Sequence, residues 1–307
     1  MNYCTLCGRK VQEGTGYHRG CLNSLFGVSY WPKIDFTLNE ISIKAQEMAG
    51  KLSISGVQAK LSLRLNRAKK ELDVAADGGE YILKPQINTF MNIPQNENLC
   101  MNIAFNLGIE VSPHSLIRLA DNSWAYIVKR FDRVNGEKLH QEDFCQILNK
   151  KDKYSGSFEE IGNKLREFSE VPGLDTQLFF ERVLFFFLIG NGDAHLKNFS
   201  VIYNKRGRIR LSPAYDVVSS KLVMPDEEDF ALTINGKRSK ITTEDFEQFA
   251  RTLGIRSRVS YKNILGKIGL VNDFIEYSQL NVDEKIRLSE IIKERVSRLK
   301  KAGMDTY

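Results

Sequence analysis

The stretch GNGDAHLKNFSVIY (190–203) follows the apolar run LFFFLI and brings four polar side chains within six positions, more than a simple turn needs. Asp193 and Asn198 stand in the spacing D-x4-N. In kinases an aspartate at this spacing accepts the proton of the substrate hydroxyl, and the asparagine holds Mg²⁺. A second metal ligand should follow on a short hairpin, where SPAYDVVS (212–219) supplies Asp216. These two stretches favour a metal–phosphate site, with Asp193 as the base and Asn198 and Asp216 as Mg²⁺ ligands.

A nucleotide site also needs a lysine for the α- and β-phosphates and a loop of backbone N–H groups. Lys84 lies in the predicted strand EYILKP (80–85), and Glu97 in the next predicted helix could pair with it. SISGVQAK (53–60) offers the loop, since Gly56 lets the backbone approach a phosphate. Each feature alone is weak, because a strand lysine is usually solvated and a glycine loop is usually a turn. The joint order of loop, lysine, glutamate, D-x4-N and aspartate along the chain predicts ATP–Mg²⁺ phosphotransfer.

Residues 1–26 form a Cys/His-rich head. Four of them, Cys4, Cys7, His18 and Cys21, show the spacing C-x2-C-x10-H-x2-C. Two close pairs joined by a short loop can surround a tetrahedral metal, and thiolate and imidazole ligands suit Zn²⁺. Four protein ligands leave no open position, so the predicted Zn²⁺ is structural. The alternative is four reduced residues in a turn without metal.

The composition is that of an ordinary globular protein, with 42% hydrophobic and 27% charged residues in 307. No segment reaches the roughly 18 uncharged apolar residues that span a bilayer; LFFERVLFFFLIG (178–190) predicts a buried helix instead. The N-terminus lacks a signal pattern, so we expect a cytoplasmic protein without membrane contact.

A net charge of +6 is a mild bias, so no direct nucleic-acid binding by the chain alone is expected. The cysteines do not indicate a secreted disulfide framework.

The order of elements predicts a strand-rich first part and a helix-rich second part, with a hinge near 128–132. Strands are predicted within 53–66 and 80–85, helices at 38–52 and 92–109, a hairpin at 115–133 with its turn near Asp121-Asn122, two short strands within 199–218, and helices in the tail.

At these residues the chain resembles the HipA family of serine/threonine kinase toxins. The matching stretches run from about residue 50 to 220 and together are highly specific. They are SISGVQAKLSL, YILKP, NENLCMNIAFNLGI, VKRFDR, HQEDFCQIL, GNGDAHLKNFSVIY and SPAYDVVS.

The resemblance implies an α+β, two-lobe, protein-kinase-like fold. The expected domains are the zinc-binding-like head (1–26), a kinase N-lobe with the phosphate loop (27–128) and a helical C-lobe with the catalytic loop (129–307). The nucleotide would lie between the lobes, with the backbone around Lys129–Phe131 as adenine hinge. The implied ATP-site residues are Ser55, Gly56, Val57, Gln58, Ala59, Lys60, Lys84, Glu97, Lys129, Arg130, Phe131, His195, Lys197, Asn198, Tyr215 and Asp216.

Family members autophosphorylate on a serine of the phosphate loop, which here means Ser53 or Ser55. A phosphate there adds about −2 charge and would compete with the nucleotide or eject the loop, so we expect self-inhibition. Family substrates are aminoacyl-tRNA synthetases, and one of these is the expected protein substrate.

The chain departs from full-length family members, which carry an additional N-terminal subdomain before the glycine loop. About 50 residues precede the loop here, as in the shorter HipT type. A separate small HipS-like antitoxin would then supply the missing subdomain, and a HipB-like DNA-binding antitoxin is also an expected partner.

Two other functions stay open at this point. Small-molecule phosphotransferases of the aminoglycoside and choline kinase type also use D-x-H-x-x-N, although the Ser-Gly-Val-Gln loop argues against them. A non-catalytic, zinc-headed regulatory pseudokinase is disfavoured because all the ligand residues are present. Transfer to a protein or to a small alcohol would separate the first alternative from a protein kinase, and absence of ATP turnover would favour the second.

Overall fold

The computed structural model describes residues 3–12, 16–49, 60–134 and 136–300. The chain divides into two compact units. The first comprises Met1–Asn102, Ser112–Glu137 and Tyr277–Leu280, and the second comprises Ile103–Val111, Lys138–Glu276 and Asn281–Tyr307. Boundaries after residues 26 and 128 stay a prediction.

In chain order, the elements as far as β6 are α1 (Arg19–Phe26), α2 (Leu38–Ala49), β1 (Leu61–Asn66), β2 (Glu71–Val74), β3 (Tyr81–Pro85), α3 (Ile93–Leu107), β4 (His114–Arg118), β5 (Trp124–Lys129) and β6 (Arg133–Val134). Helix α3 begins in the first unit and passes into the second at Ile103. A five-stranded antiparallel sheet in the order β2-β1-β3-β5-β4 organises the first unit. The β4–β5 hairpin turns at Asn122, whose positive φ of 65° suits an asparagine, close to the predicted turn.

The Cys/His head shares one hydrophobic core with this sheet. Leu22, Leu25 and Phe26 of α1 pack into the same buried cluster as the alternating leucines of β1. The Phe26 ring centroid lies 5.5 Å from that of Tyr81 on β3. The head is therefore built into the first unit.

A late segment of the chain completes the first unit. Tyr277–Leu280 belongs to it, although the flanking residues on both sides belong to the second unit. The Tyr277 ring stacks on the Tyr3 ring at 3.8 Å between centroids and an angle of 12°. The first unit thus combines an early and a late part of the sequence.

The second unit is mainly helical. After β7 (Glu137–Lys138), its elements are β8 (Gln141–Asp143), α4 (Phe144–Ile147), α5 (Phe158–Phe168), α6 (Pro172–Ile189), β9 (Ser200–Tyr203), β10 (Ile209–Leu211), α7 (Thr243–Leu253), α8 (Ser257–Leu265), α9 (Val271–Glu276) and α10 (Val282–Lys300). Helix α6 is buried on all sides from Phe179 to Ile189, which confirms the predicted core helix. Among the described residues, no helix is long and apolar enough to cross a membrane.

Helix α6 supports both loops that carry the predicted catalytic residues. Its C-terminus leads directly into the loop at 190–198, and its N-terminal half holds β10. Asp175 is fully buried and accepts bonds from Arg210 Nη2 at 2.8 Å and from the Leu211 backbone N–H at 2.9 Å. Arg182 Nη2 donates to the Ser212 carbonyl at 2.6 Å. The strand that leads to Asp216 is therefore fixed to the helix that leads to Asp193.

Candidate active site

A buried ion pair lies in the first unit at the predicted phosphate lysine. Lys84 extends from β3, and its Nζ lies 2.6 Å from Glu97 Oε1 on α3. Their side chains are only 5% and 1% exposed. The Lys84 Nζ also lies 5.6 Å from the ring centroid of Tyr126, its cross-strand neighbour on β5. Taking two charges out of water is costly, so such a pair indicates a role other than stability alone.

The remaining first-unit candidates are only partly described. Ser53, Ser55, Gly56, Val57, Gln58 and Ala59 lie outside the described residues. Lys60 is half-buried immediately before β1. At the predicted adenine hinge, the Lys129 N–H donates to the Pro113 carbonyl at 2.8 Å and the Arg130 N–H to the Glu80 carbonyl at 2.8 Å. Phe131 follows in a turn and is half-buried.

The predicted catalytic base lies exposed at the end of α6. Gly190 ends the helix with a left-handed φ of 66°, and Gly192 lies so close to Glu227 that a Cβ there would be 2.6 Å from its Cδ. These contacts turn the chain sharply and leave the Asp193 side chain exposed. Asp193 Oδ1 accepts a hydrogen bond from the Tyr154 hydroxyl at 2.9 Å.

A short 3-10 turn, Leu196–Asn198, places the next two candidates. Asn198 is buried, and its Oδ1 accepts the His195 N–H at 2.9 Å. An amide oxygen has two lone pairs, so this bond leaves one for a cation. Burial lowers the pKa of His195 and Lys153 adds to the effect, while the carboxylates of Asp193 and Asp216 oppose it. We infer a neutral imidazole at pH 7.

Asp216 follows β10 in a conformation that is uncommon for an aspartate, with a φ of +58°. Such backbone strain in non-glycine residues concentrates at functional sites. The preceding residue, Tyr215, donates its hydroxyl proton to the Lys197 carbonyl at 2.8 Å. The Asp216 segment is thereby tied to the loop of Asp193 and Asn198, while the Lys197 side chain itself is exposed.

Sequence reasoning missed three residues that hold Asp193 in place. Ser220 Oγ accepts the Asp193 N–H at 3.2 Å and donates to Glu227 Oε1 at 2.6 Å. The same carboxylate oxygen accepts the Gly192 N–H at 3.3 Å. Burial raises the pKa of Glu227 to about 7. Tyr154 is the third, and burial, together with the hydrogen bond to Asp193, raises its pKa to about 12.

The four predicted zinc ligands also come together. The ligand atoms of Cys4, Cys7, His18 and Cys21 all lie within 4.8 Å of one another. His18 Nε2 lies 3.1 Å from the Lys10 carbonyl, which can only accept, so Nδ1 is left with its lone pair towards the thiols. Hydrogen bonds from the thiols of Cys21 and Cys7 lower the pKa of Cys4. Three thiols and one imidazole nitrogen at these distances fit a tetrahedral Zn²⁺.

Comparison with known proteins gives a consistent family. The family model "HipA-like C-terminal domain" matches residues 52–273. A Haemophilus influenzae protein named "putative kinase" is 28% identical and is covered over 91% of both chains. The Sinorhizobium fredii putative kinase Y4dM is 33% identical over 73% of this chain and 58% of that relative. The Shewanella oneidensis "serine/threonine-protein kinase toxin HipA" is 28% identical over 60% of this chain and 47% of the relative.

The chain thus matches the Haemophilus relative over nearly its whole length but spans only about half of the Sinorhizobium and Shewanella relatives.

Solved structures agree on the fold. Shewanella oneidensis HipA, solved in a complex with HipB and operator DNA, superposes with a TM-score of 0.65 at 25% identity over 80% of this chain and 64% of HipA. The Helicobacter pylori proinflammatory kinase CtkA superposes with a TM-score of 0.58 at 17% identity over 87% of this chain and 96% of CtkA. These likenesses confirm the kinase-like α+β fold. The chain belongs to the family of the HipA-like C-terminal domain.

Proposed function

We propose that this protein is an ATP- and Mg²⁺-dependent serine/threonine protein kinase of the HipA type. One observation carries the proposal: the exposed carboxylate of Asp193 already accepts a hydrogen bond from a hydroxyl group, that of Tyr154. A catalytic base of phosphoryl transfer must make the same contact with the hydroxyl of its substrate.

Each candidate residue has a role in this proposal. Asp193 takes the proton of the substrate hydroxyl while the substrate oxygen bonds to the γ-phosphorus and the bond to the ADP oxygen breaks. Asn198 and Asp216 would hold Mg²⁺, since amide and carboxylate oxygens are ligands that this cation prefers. Lys84, oriented by Glu97, binds the α- and β-phosphates. ATP and Mg²⁺ supply the phosphoryl group and the charge neutralisation.

Regulation and partners extend the proposal. Phosphorylation of Ser53 or Ser55 by the protein itself would inhibit it, because the added charge competes with the nucleotide. A toxin role, with an aminoacyl-tRNA synthetase as substrate, follows from the family resemblance. The Shewanella relative forms a complex with HipB and DNA, which favours a HipB-like antitoxin. A HipS-like small antitoxin and the division into a head (1–26), an N-lobe (27–128) and a C-lobe (129–307) belong to the same proposal.

The decisive experiment is phosphosite mapping by mass spectrometry after incubation with Mg²⁺–ATP. We expect phosphate on Ser53 or Ser55 in the wild type and none in Asp193→Ala. Phosphate in both would show that Asp193 is not the base. Absence of protein phosphate, together with ATP consumption only when an amino alcohol or aminoglycoside is added, would favour a small-molecule phosphotransferase.

A further inference from the structure

The metal-ligand loop of the head makes direct contact with helix α3. Thr5 stands between the predicted ligands Cys4 and Cys7, and its backbone carbonyl faces the helix. Asn98 Nδ2 donates to this carbonyl at 3.1 Å, and Asn102 Nδ2 approaches it at 3.4 Å. The two asparagines are one helical turn apart, so a single carbonyl contacts α3 at two levels.

The side chain of Thr5 adds a second contact. Thr5 Oγ1 lies 3.0 Å from Ser115 Oγ on strand β4. One residue of the head therefore contacts both the helix and the sheet of the first unit.

The contact lies beside the glutamate that pairs with the phosphate lysine. Asn98 directly follows Glu97 in α3, and the two residues are 2% and 1% exposed. Water cannot replace a partner at such burial, so a shift of the Thr5 carbonyl would leave the Asn98 amide unsatisfied. The helix is then expected to move with the head, and Glu97 would move with the helix.

The position of the Thr5 carbonyl depends on how the ligand loop is closed. The Gly8 N–H donates to the Cys4 carbonyl at 2.8 Å and the Cys7 N–H to the same carbonyl at 3.3 Å, so Thr5 lies inside a tight turn. The thiols of Cys4 and Cys7, on either side of Thr5 in the sequence, both belong to the cluster of four candidate metal ligands. A bound metal fixes those thiols relative to His18 and Cys21, and thereby fixes the turn.

We propose that Thr5 and Asn98 are positioning residues that couple metal binding in the head to nucleotide binding at Lys84. The metal would fix the turn at Thr5, the Thr5 carbonyl would fix α3 through Asn98, and α3 would position Glu97 against Lys84. The nucleotide half of this inference rests on the proposed kinase function. Linkage requires reciprocity: if the metal strengthens nucleotide binding by some factor, the nucleotide strengthens metal binding by the same factor.

The first measurement is the affinity of the full chain for the non-hydrolysable β,γ-imido analogue of ATP with Mg²⁺, before and after removal of Zn²⁺. Zinc per chain is followed by elemental mass spectrometry. We expect about one zinc per chain and an affinity about tenfold weaker in the zinc-free protein, within the usual range of coupling between two sites. A zinc-free wild type, or equal affinities in the two forms, would overturn the proposal.

The second measurement separates coupling from simple stability. Asn98→Leu removes the donor to Thr5 at similar volume, and we expect it to keep its zinc but to bind the analogue equally well with and without the metal. The matched control is Asn96→Leu on the same helix: Asn96 is 1% exposed, and its Oδ1 accepts a hydrogen bond from Cys100 Sγ at 3.3 Å. The control should retain the tenfold dependence on zinc. If the affinity of Asn98→Leu for the analogue also fell about tenfold on zinc removal, the proposal would be overturned.

Hydrogen exchange of α3 gives a readout that does not need the nucleotide. Zinc removal should speed exchange in Ile93–Leu107 of the wild type and change it little in Asn98→Leu. If Asn98→Leu does not fold, Thr5→Val takes its place. This variant loses only the contact with Ser115, and zinc removal should speed exchange in α3 less than it does in the wild type. If the zinc-loaded wild type fails to bind the analogue, the kinase proposal fails. In that case hydrogen exchange still tests the contact between head and helix. An exchange rate in α3 that does not change on zinc removal would overturn this contact.

Discussion

The charged candidate residues of the first unit and those of the second unit are held in opposite ways. In the first unit, Lys84 and Glu97 are buried and pair directly at 2.6 Å. In the second unit, Asp193 is exposed, and its position depends on bonds from its backbone and from the Tyr154 hydroxyl. A buried pair loses stability when one partner is removed, whereas an exposed carboxylate can be removed with little effect on the fold. Mutation of the buried pair should therefore mainly lower stability, whereas mutation of Asp193 should mainly lower the rate of phosphotransfer.

The largest expected effect is on the rate of phosphotransfer in Asp193→Ala. Loss of a general base typically slows a reaction by about 10²–10⁴-fold. The melting temperature should stay close to that of the wild type, since the side chain is exposed. Initial rates and thermal unfolding measure the two quantities, with the exposed Asp77→Ala as a control for loss of a surface carboxylate. A rate within threefold of the wild type would contradict the assignment of the base.

The complementary change in the first unit is Glu97→Ala. Because this variant leaves the Lys84 ammonium buried without its carboxylate, the free energy of unfolding should fall by about 3–5 kcal/mol. Denaturant titration measures the loss. The double variant Lys84→Met/Glu97→Leu is the control, and it should recover most of the stability while remaining unable to bind ATP tightly. A stable Glu97→Ala protein would show that the pair is not as desolvated as its burial indicates.

The third prediction concerns pH and the carboxylate beneath Asp193. The folded-state pKa of Glu227 is raised from the ordinary glutamate value of 4.5 to about 7, so between pH 4.5 and pH 7 the folded protein binds more protons than the unfolded chain. The contribution of this group to stability is therefore present below pH 4.5 and is lost as the pH rises to 7. We expect a loss of about 1 kcal/mol, after allowing for solvent screening of a partly exposed group.

Glu227→Gln is the matched control for that titration, because its amide oxygen can still accept from Ser220 and Gly192 without titrating. The stability of the wild type relative to this variant should fall between pH 5 and pH 7 and then stay level. A difference that is flat across this range would contradict the raised pKa.

The smallest expected effect belongs to Tyr154→Phe. The change removes one hydrogen bond to Asp193 Oδ1 and keeps the ring, which packs edge-on against His195 at 5.4 Å between centroids. One such bond contributes about 1 kcal/mol, so we expect kcat to fall about fivefold with little change in the KM for ATP. Steady-state kinetics at saturating ATP measures it, and an unchanged kcat would show that the hydroxyl does not orient the base.

Short-range patterns predicted several of the elements and one contact between candidate residues. The apolar run before Gly190 predicted α6, and the D-x4-N spacing placed Asp193 and Asn198 in the loop that follows this helix. The order of the strand lysine and the helix glutamate predicted the Lys84–Glu97 pair, which the structure places at 2.6 Å. These features lie within one element or between consecutive elements, where periodicity and spacing carry the information.

Contacts between distant residues were beyond such reasoning. Glu227 and Gly192 are 35 positions apart, and nothing in the local sequence of either predicts their hydrogen bond. Asn98 and Asn102 of α3 are buried against Thr5, more than ninety positions away, and the local sequence of the helix does not predict this contact. Burial of a polar residue depends on a partner that only the tertiary fold supplies.

The return of Tyr277–Leu280 to the first unit has a consequence for the order in which the protein is made. Tyr3 leaves the ribosome long before its stacking partner Tyr277, which lies 274 positions later in the sequence. At synthesis rates of about 5–20 residues per second, roughly 7 to 30 seconds separate synthesis of the last strand of the five-stranded sheet from that of Tyr277. During this interval the head and sheet must remain soluble without their final segment. A nascent chain stopped before residue 277 should therefore expose the apolar surface around Tyr3 to chaperones.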